Sequence, residues 1–206
     1  MVSMTPIRDP KKDALLTPEN AALLIIDYQP TQVNSINSTD RKQLVHNIHI
    51  VAKIAKLYRL PTLLTTVNVS TGRNHDTIPS LREVLQDTPS YDRTTMNAWE
   101  DAEFYAAVKA TKRQKLLICA LWTEVCLTFP TLDALREGYE VFPIVDAVAG
   151  TSMLAHETAL RRIERAGAQF VTIAQLTCEL QRDWNRKESV EGFLDIMFDS
   201  GAFLKL

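Results

Sequence analysis

The sequence predicts an α/β fold: a three-layer α/β/α sandwich around a parallel sheet of five or six strands. Two observations carry this. Short, wholly apolar runs recur along the chain, as expected of strands covered on both faces. Between them lie segments whose apolar residues return every three or four positions, the pattern of amphipathic helices. Alternation of this kind implies a parallel sheet flanked by helices. A length of 206 residues suits one domain with a substantial core, and no repeat, low-complexity tract or linker interrupts it. We therefore expect an N-terminal arm over 1–18 and one domain over 19–206.

The elements follow in order. Pro6, Pro10 and Pro18 discourage regular structure in the arm. AALLIID (21–27) reads as a central strand ending in an acid. From Asp40, Leu44, Ile48, Val51, Ala52, Ala55 and Tyr58 form one face of a helix. PTLLTTV (61–67) reads as the second strand. Residues 68–98 are polar and irregular, with a short helix expected over 80–86. A helix over 101–111 buries Phe104, Ala107 and Val108. KLLICALW (115–122) is the third strand, and a helix over 123–137 ends at Gly138. YEVFPIVD (139–146) is the fourth strand. A helix over 152–166 stops at Gly167, and AQFVTI (168–173) is the fifth strand. Helices over 175–184 and 190–198 close the chain.

Composition excludes several functions. Only six residues are glycine, and the closest two are nine positions apart. Neither G-x-G-x-x-G nor G-x-x-x-x-G-K-[ST] can occur, so a dinucleotide fingerprint and a P-loop are both absent. The net charge of −2 gives no footprint for nucleic acid or an anionic membrane surface. The longest apolar runs have six and seven residues, whereas a transmembrane helix needs about 20. No signal-peptide core is visible near the start, and three cysteines suit a reducing compartment, so a cytoplasmic location is expected. His46, His49, His75 and His156 show no ligand spacing, and no metal or other cofactor is expected.

In parallel sheets, sites form at the carboxyl ends of strands, where the strand order reverses. Asp27, Asp146 and the segment Thr123–Cys126 sit at such ends. Cys126 falls in the first turn of the third strand's helix, where free N–H groups favour a thiolate. Pro130 cannot donate to the Cys126 carbonyl, so the helix should be loosened there. Cys126 reads equally as a nucleophile or as a small buried hydrophobe. Asp27 reads as a working acid or as a turn acid. Asp146 is expected to serve its loop, and Cys119 and Cys178 to be inert hydrophobes.

The segment LLICALWTEVCLTFPTLDALREGYEV resembles the cysteine-hydrolase (isochorismatase-like) superfamily around its nucleophile, an apolar strand followed by T-x-V-C. The resemblance is closest to the YcaC-like branch. It continues through MNAWED, AVKAT, DAVAGTS, AHETALRRIERAGAQ and CELQRDW, spanning residues 18–185.

What this resemblance implies is concrete. The fold would be Rossmann-like, with Asp27, Arg93 and Cys126 as a catalytic triad. The backbone N–H groups of Thr123 and Cys126 would form an oxyanion hole, aimed by a cis peptide at Trp122–Thr123. Gln29, Asn97, Trp99 and Trp122 would line the pocket, although core packing explains the two tryptophans as well. Arg93 would stabilise charge, because arginine does not lose its proton. Family members often have glycine where Ala120 stands and a small polar residue where Val148 stands, so a narrower, greasier pocket is expected. The zinc pattern of the nicotinamidase branch is missing.

The activity implied is metal-independent hydrolysis of a small amide or other C–N bond through a thioester. A vinyl-ether hydrolase using Asp27 alone, and a non-catalytic oligomeric family member, are the alternatives. The implied partners are a small-molecule substrate and further copies of the chain in a homo-oligomer, through helices such as the one bearing ELQRDW.

Overall fold

The computed structural model describes residues 8–204. Five parallel strands form one sheet in the order β3-β2-β1-β4-β5. They are β1 (Ala21–Ile26), β2 (Thr62–Val67), β3 (Ser90–Arg93), β4 (Lys115–Ala120) and β5 (Glu140–Pro143). Every residue of β1 and β4 is buried, which requires cover on both faces. The helices supply it in two groups. The first comprises α1 (Pro30–Ser35), α2 (Arg41–Leu57), α3 (Pro79–Val84), α7 (Ile173–Gln181) and α8 (Val190–Asp199), gathered around α2. The second comprises α4 (Ala102–Ala110), α5 (Thr128–Arg136) and α6 (Met153–Arg165).

Local chemistry fixes the helix starts. Asp40 accepts from the Gln43 N–H at 2.9 Å to cap α2, and Asp101 caps α4 through Phe104 N–H. Ser152 caps α6 and Thr172 caps α7 in the same way. Asp146 serves the loop, as expected: both its carboxylate oxygens accept from the Ile173 N–H at the head of α7.

One expected strand is not regular, and one strand was not expected. Residues 168–173 do not form a regular strand, although they lie along β5: the N–H groups of Gln169 and Val171 donate to Val141 and Pro143, and Val145 N–H donates to Val171. The fifth strand is β3, within the stretch read as irregular. Its sequence, SYDR, has no apolar alternation because it is a short edge strand beside β2. The first seven residues of the predicted arm lie outside the described residues. Residues 8–18 contain no helix or strand, and Leu16 is buried with its N–H donating to Glu179 at 2.7 Å.

The strand order places the site. From β1 the chain steps outward through β2 to β3, then returns to the other side of β1 with β4. The order therefore reverses between β1 and β4, whose last residues Ile26 and Ala120 are in register. Asp27 and the turn carrying Cys126 emerge side by side at this crevice.

Candidate active site

Asp27 follows β1 directly, and its N–H donates to the Thr65 carbonyl at 3.0 Å. Its φ is +62°, a left-handed conformation that aspartate tolerates better than most residues and that breaks the strand. Arg93 ends β3, in register with Val67 of β2. Its Nη1 and Nη2 donate to the two oxygens of Asp27, each at 2.7 Å, and neither side chain is exposed. Nη1 also donates to the Thr66 carbonyl at 3.0 Å. A bidentate pair of this kind is the arrangement in which buried opposite charges best offset the cost of leaving water. Burial alone would lower the Arg93 pKa, but the paired carboxylate more than offsets it and holds the guanidinium above its ordinary value.

Cys126 lies in a π-helical turn, Thr123–Leu127, that leads into α5. The expected loosening is present here: the Leu127 N–H reaches back five residues to the Trp122 carbonyl. Pro130 sits inside the first turn of α5, where its missing N–H is least costly. Cys126 is electrostatically coupled to the Asp27 carboxylate, and the Trp122 N–H acts on the sulfur in the opposite sense. Burial first, and the Asp27 charge second, push the thiol pKa well above its ordinary value, outweighing Arg93 and the Trp122 N–H. This corrects the expectation of a resting thiolate. The helix-start effect is outweighed because the sulfur is buried against an anion. Alkylation of Cys126 by iodoacetamide should therefore keep rising with pH through the ordinary thiol value of 9.0. A rate that levels off by pH 8 would contradict this.

The oxyanion donors also need correction. The Thr123 N–H already donates to the Ala149 carbonyl at 2.9 Å and is not available. The Trp122 N–H is the backbone donor that acts on the sulfur. The cis peptide is Leu121–Trp122, one residue earlier than expected.

Loop 149–151 is fastened to this turn from behind. Glu124 accepts from both the N–H and the hydroxyl of Thr151, at 3.0 and 2.6 Å. Gly150 makes the close approach possible. A Cβ there would stand 2.6 Å from Glu124 Oε2 and 3.2 Å from the backbone Cα of His156. The carboxylate could swing aside, but the helix backbone could not. Gly150→Ala should cost about 1–3 kcal/mol by overpacking, read as a lower urea midpoint at unchanged slope.

Three of the expected pocket residues have structural employment instead. Gln29 is fully buried; its Nε2 donates to the carbonyls of Val67 and His75, and its Oε1 accepts from the Val67 N–H. Its amide ties the loop after β2 to the sheet and has no free donor for a substrate. Asn97 donates to Asp133 at 2.7 Å and accepts from the Trp99 N–H. Trp99 is buried edge-to-face against Tyr105 and Tyr139, with Nε1 donating to Glu137. Trp122 is half-buried close to Cys126 in the chain, its ring nitrogen donating to Ser35 at 2.8 Å.

Cys119 is buried in β4, whereas Cys178 lies exposed on α7. Among the described residues no three His, Cys, Asp or Glu side chains converge as a metal site would require. Sequence reasoning missed the Trp122 N–H and His156, whose Nδ1 is hydrogen-bonded to the Thr123 hydroxyl at 2.8 Å. Neither carried a spacing signal, because both depend on how separate segments meet.

Comparison with known proteins agrees with this geometry. Residues 21–175 match the model of the isochorismatase domain. The chain is 36% identical over 178 residues to the probable hydrolase YcaC of Escherichia coli K12, covering 86% of this chain and 84% of that protein. A structure of YcaC from Pseudomonas aeruginosa, with hexane-2,5-diol and covalent acrylamide, superposes with a TM-score of 0.86 at 34% identity, over 91% of this chain and 92% of that one. The Escherichia coli YcaC structure, described as an octameric hydrolase of unknown specificity, gives 0.81 at 31% identity over 93% and 98%. With the reversal point of its sheet occupied by an acid, a paired arginine and a cysteine, and with matches of this extent, the chain belongs to the isochorismatase family of hydrolases.

Proposed function

We propose that this protein is a cysteine hydrolase that cleaves a small amide or other C–N bond without a metal, through a thioester. One observation carries the reading: Cys126 is coupled at the strand ends to a carboxylate that Arg93 holds in place with two 2.7 Å bonds. Asp27 accepts the thiol proton as sulfur attacks the substrate carbonyl. Because the thiol pKa is high in the free enzyme, proton loss accompanies attack rather than preceding it. The Trp122 and Cys126 N–H groups hold the oxyanion. Asp27 then passes the proton to the departing nitrogen. In the second half it takes a proton from water, which attacks the thioester and releases the acid and the thiol. Arg93 stays charged throughout and keeps Asp27 oriented.

The covalent acrylamide in the Pseudomonas aeruginosa relative supports a nucleophile able to react with an amide-bearing electrophile. The octameric Escherichia coli relative supports a homo-oligomer, and the exposed Met153, Leu154 and Trp184 are apolar surface that such an assembly could cover. Three unpaired cysteines support a reducing compartment such as the cytoplasm. The test is a hydrolysis screen over small amides, with Cys126→Ser as the control. Ammonia or amine release that persists in Cys126→Ser would sink the reading.

A further inference from the structure

Thr123 is the first residue of the nucleophile turn, and it is fully buried. Each of its polar groups is held. The N–H donates to Ala149, and the carbonyl accepts from the Thr128 hydroxyl at 2.7 Å. The hydroxyl is joined to His156 Nδ1 at 2.8 Å. His156 lies in the first turns of α6, a helix whose start is fixed by the Ser152 cap. Among the described residues, its side chain is the one hydrogen-bonded to Thr123 Oγ1. Thr123 stands between Trp122, whose N–H acts on the Cys126 sulfur, and Glu124, which anchors Thr151.

We propose that His156 is a positioning residue for the nucleophile: through the Thr123 hydroxyl it fixes the turn that aims Cys126 and the Trp122 N–H. Nothing in the triad itself sets the height of this turn over the sheet. The strand ends at Ala120, and Cys126 stands six residues further on. Two bonds tie Thr123 across to the 149–156 segment, one through the backbone and one through His156. Thr123 N–H and Glu124 tie the turn to loop 149–151, and the His156 bond is the one that ties it to α6. Misplacement of about 1 Å at a reacting group can cost about 100-fold in rate.

The inference rests on the cysteine-hydrolase reading, and one experiment separates the two. The probe is acrylamide, and the readout is the rate of Cys126 modification by intact-mass and peptide mass spectrometry. If wild-type Cys126 takes up no acrylamide while the exposed Cys178 does, the hydrolase reading fails. If Cys126 is modified, the variants decide the role of His156. His156→Ala and His156→Gln should slow Cys126 modification by about tenfold or more. His156→Asn should restore it to within about threefold, because asparagine carries a polar atom on Cγ where histidine carries Nδ1. A merely structural role would track the thermal midpoint rather than this atom. Thr123→Val removes the other partner with little change in shape. It should slow labelling as His156→Ala does, and the double variant should be no slower than either single one. Wild-type labelling in His156→Ala overturns the proposal. So do His156→Asn as slow as His156→Ala, and strictly multiplicative effects in the double variant.

Discussion

Cys126→Ser is expected to lower amide turnover by about 10,000-fold or more while leaving the thermal midpoint within a few degrees of wild type. Removal of a nucleophile from a hydrolytic triad has effects of this order, because the remaining members cannot form the covalent intermediate. The fold should tolerate the change. Serine is close to cysteine in size, and its hydroxyl can face the same Asp27 carboxylate. Asp27→Asn should lose turnover to a similar degree, for a different reason: the neutral amide cannot take the thiol proton, and the attacking sulfur stays protonated. The pair of variants also separates reaction classes. A vinyl-ether hydrolase working by acid catalysis from Asp27 would survive Cys126→Ala and fail with Asp27→Asn. Loss in both identifies the thiol route, and retention in Cys126→Ala identifies the other. Hydrolysis of the best amide from the screen, followed with enzyme above substrate to detect single turnovers, makes the comparison.

How much of this was legible in the sequence depended on whether a residue's role follows from its own segment. Asp27 and Cys126 do: each ends an apolar strand or begins the turn after one, and parallel topology brings such ends together. Pro130 likewise announced a disturbed helix start. Arg93 could be reached only through resemblance, because a four-residue edge strand with no apolar alternation leaves no periodic trace. The polar residues near the site are less legible for a related reason. Gln29 and Asn97 each stand close to the crevice in the chain, yet their amides are consumed by partners 38 to 46 and 36 residues away. Whether a buried amide faces a ligand or a distant backbone carbonyl is set by tertiary packing, which one segment does not encode. The same holds for the oxyanion donors. Thr123 loses its N–H to Ala149, a residue on another loop, and the neighbouring Trp122 N–H is the one that acts on the sulfur.

Arg93→Met should be the most destabilising single change at this site, by about 3–5 kcal/mol. The side chain is fully enclosed, so methionine fills much of its volume without a charge. What remains is the difficulty: Asp27 is also fully enclosed and loses both 2.7 Å donors at once. Among the described residues no other side chain is hydrogen-bonded to it, and the neighbouring Cys126 thiol is at best a weak donor. A buried carboxylate in that position is costly as an anion, and it is also costly to neutralise. For a chain of this size each kcal/mol corresponds to about 2–4 °C in the thermal midpoint, so a fall of about 6–20 °C is expected. The Asp27→Asn/Arg93→Met double variant gives the decisive comparison. Each single variant leaves one charge buried without its partner, whereas the double leaves none. Asparagine also accepts the left-handed backbone at this position. The double variant should therefore be more stable than Arg93→Met alone, with a coupling of about 1–3 kcal/mol between the two changes. If urea denaturation gives additive losses instead, the ion pair is not what holds the two strand ends together, and the orientation of Asp27 must come from its backbone alone.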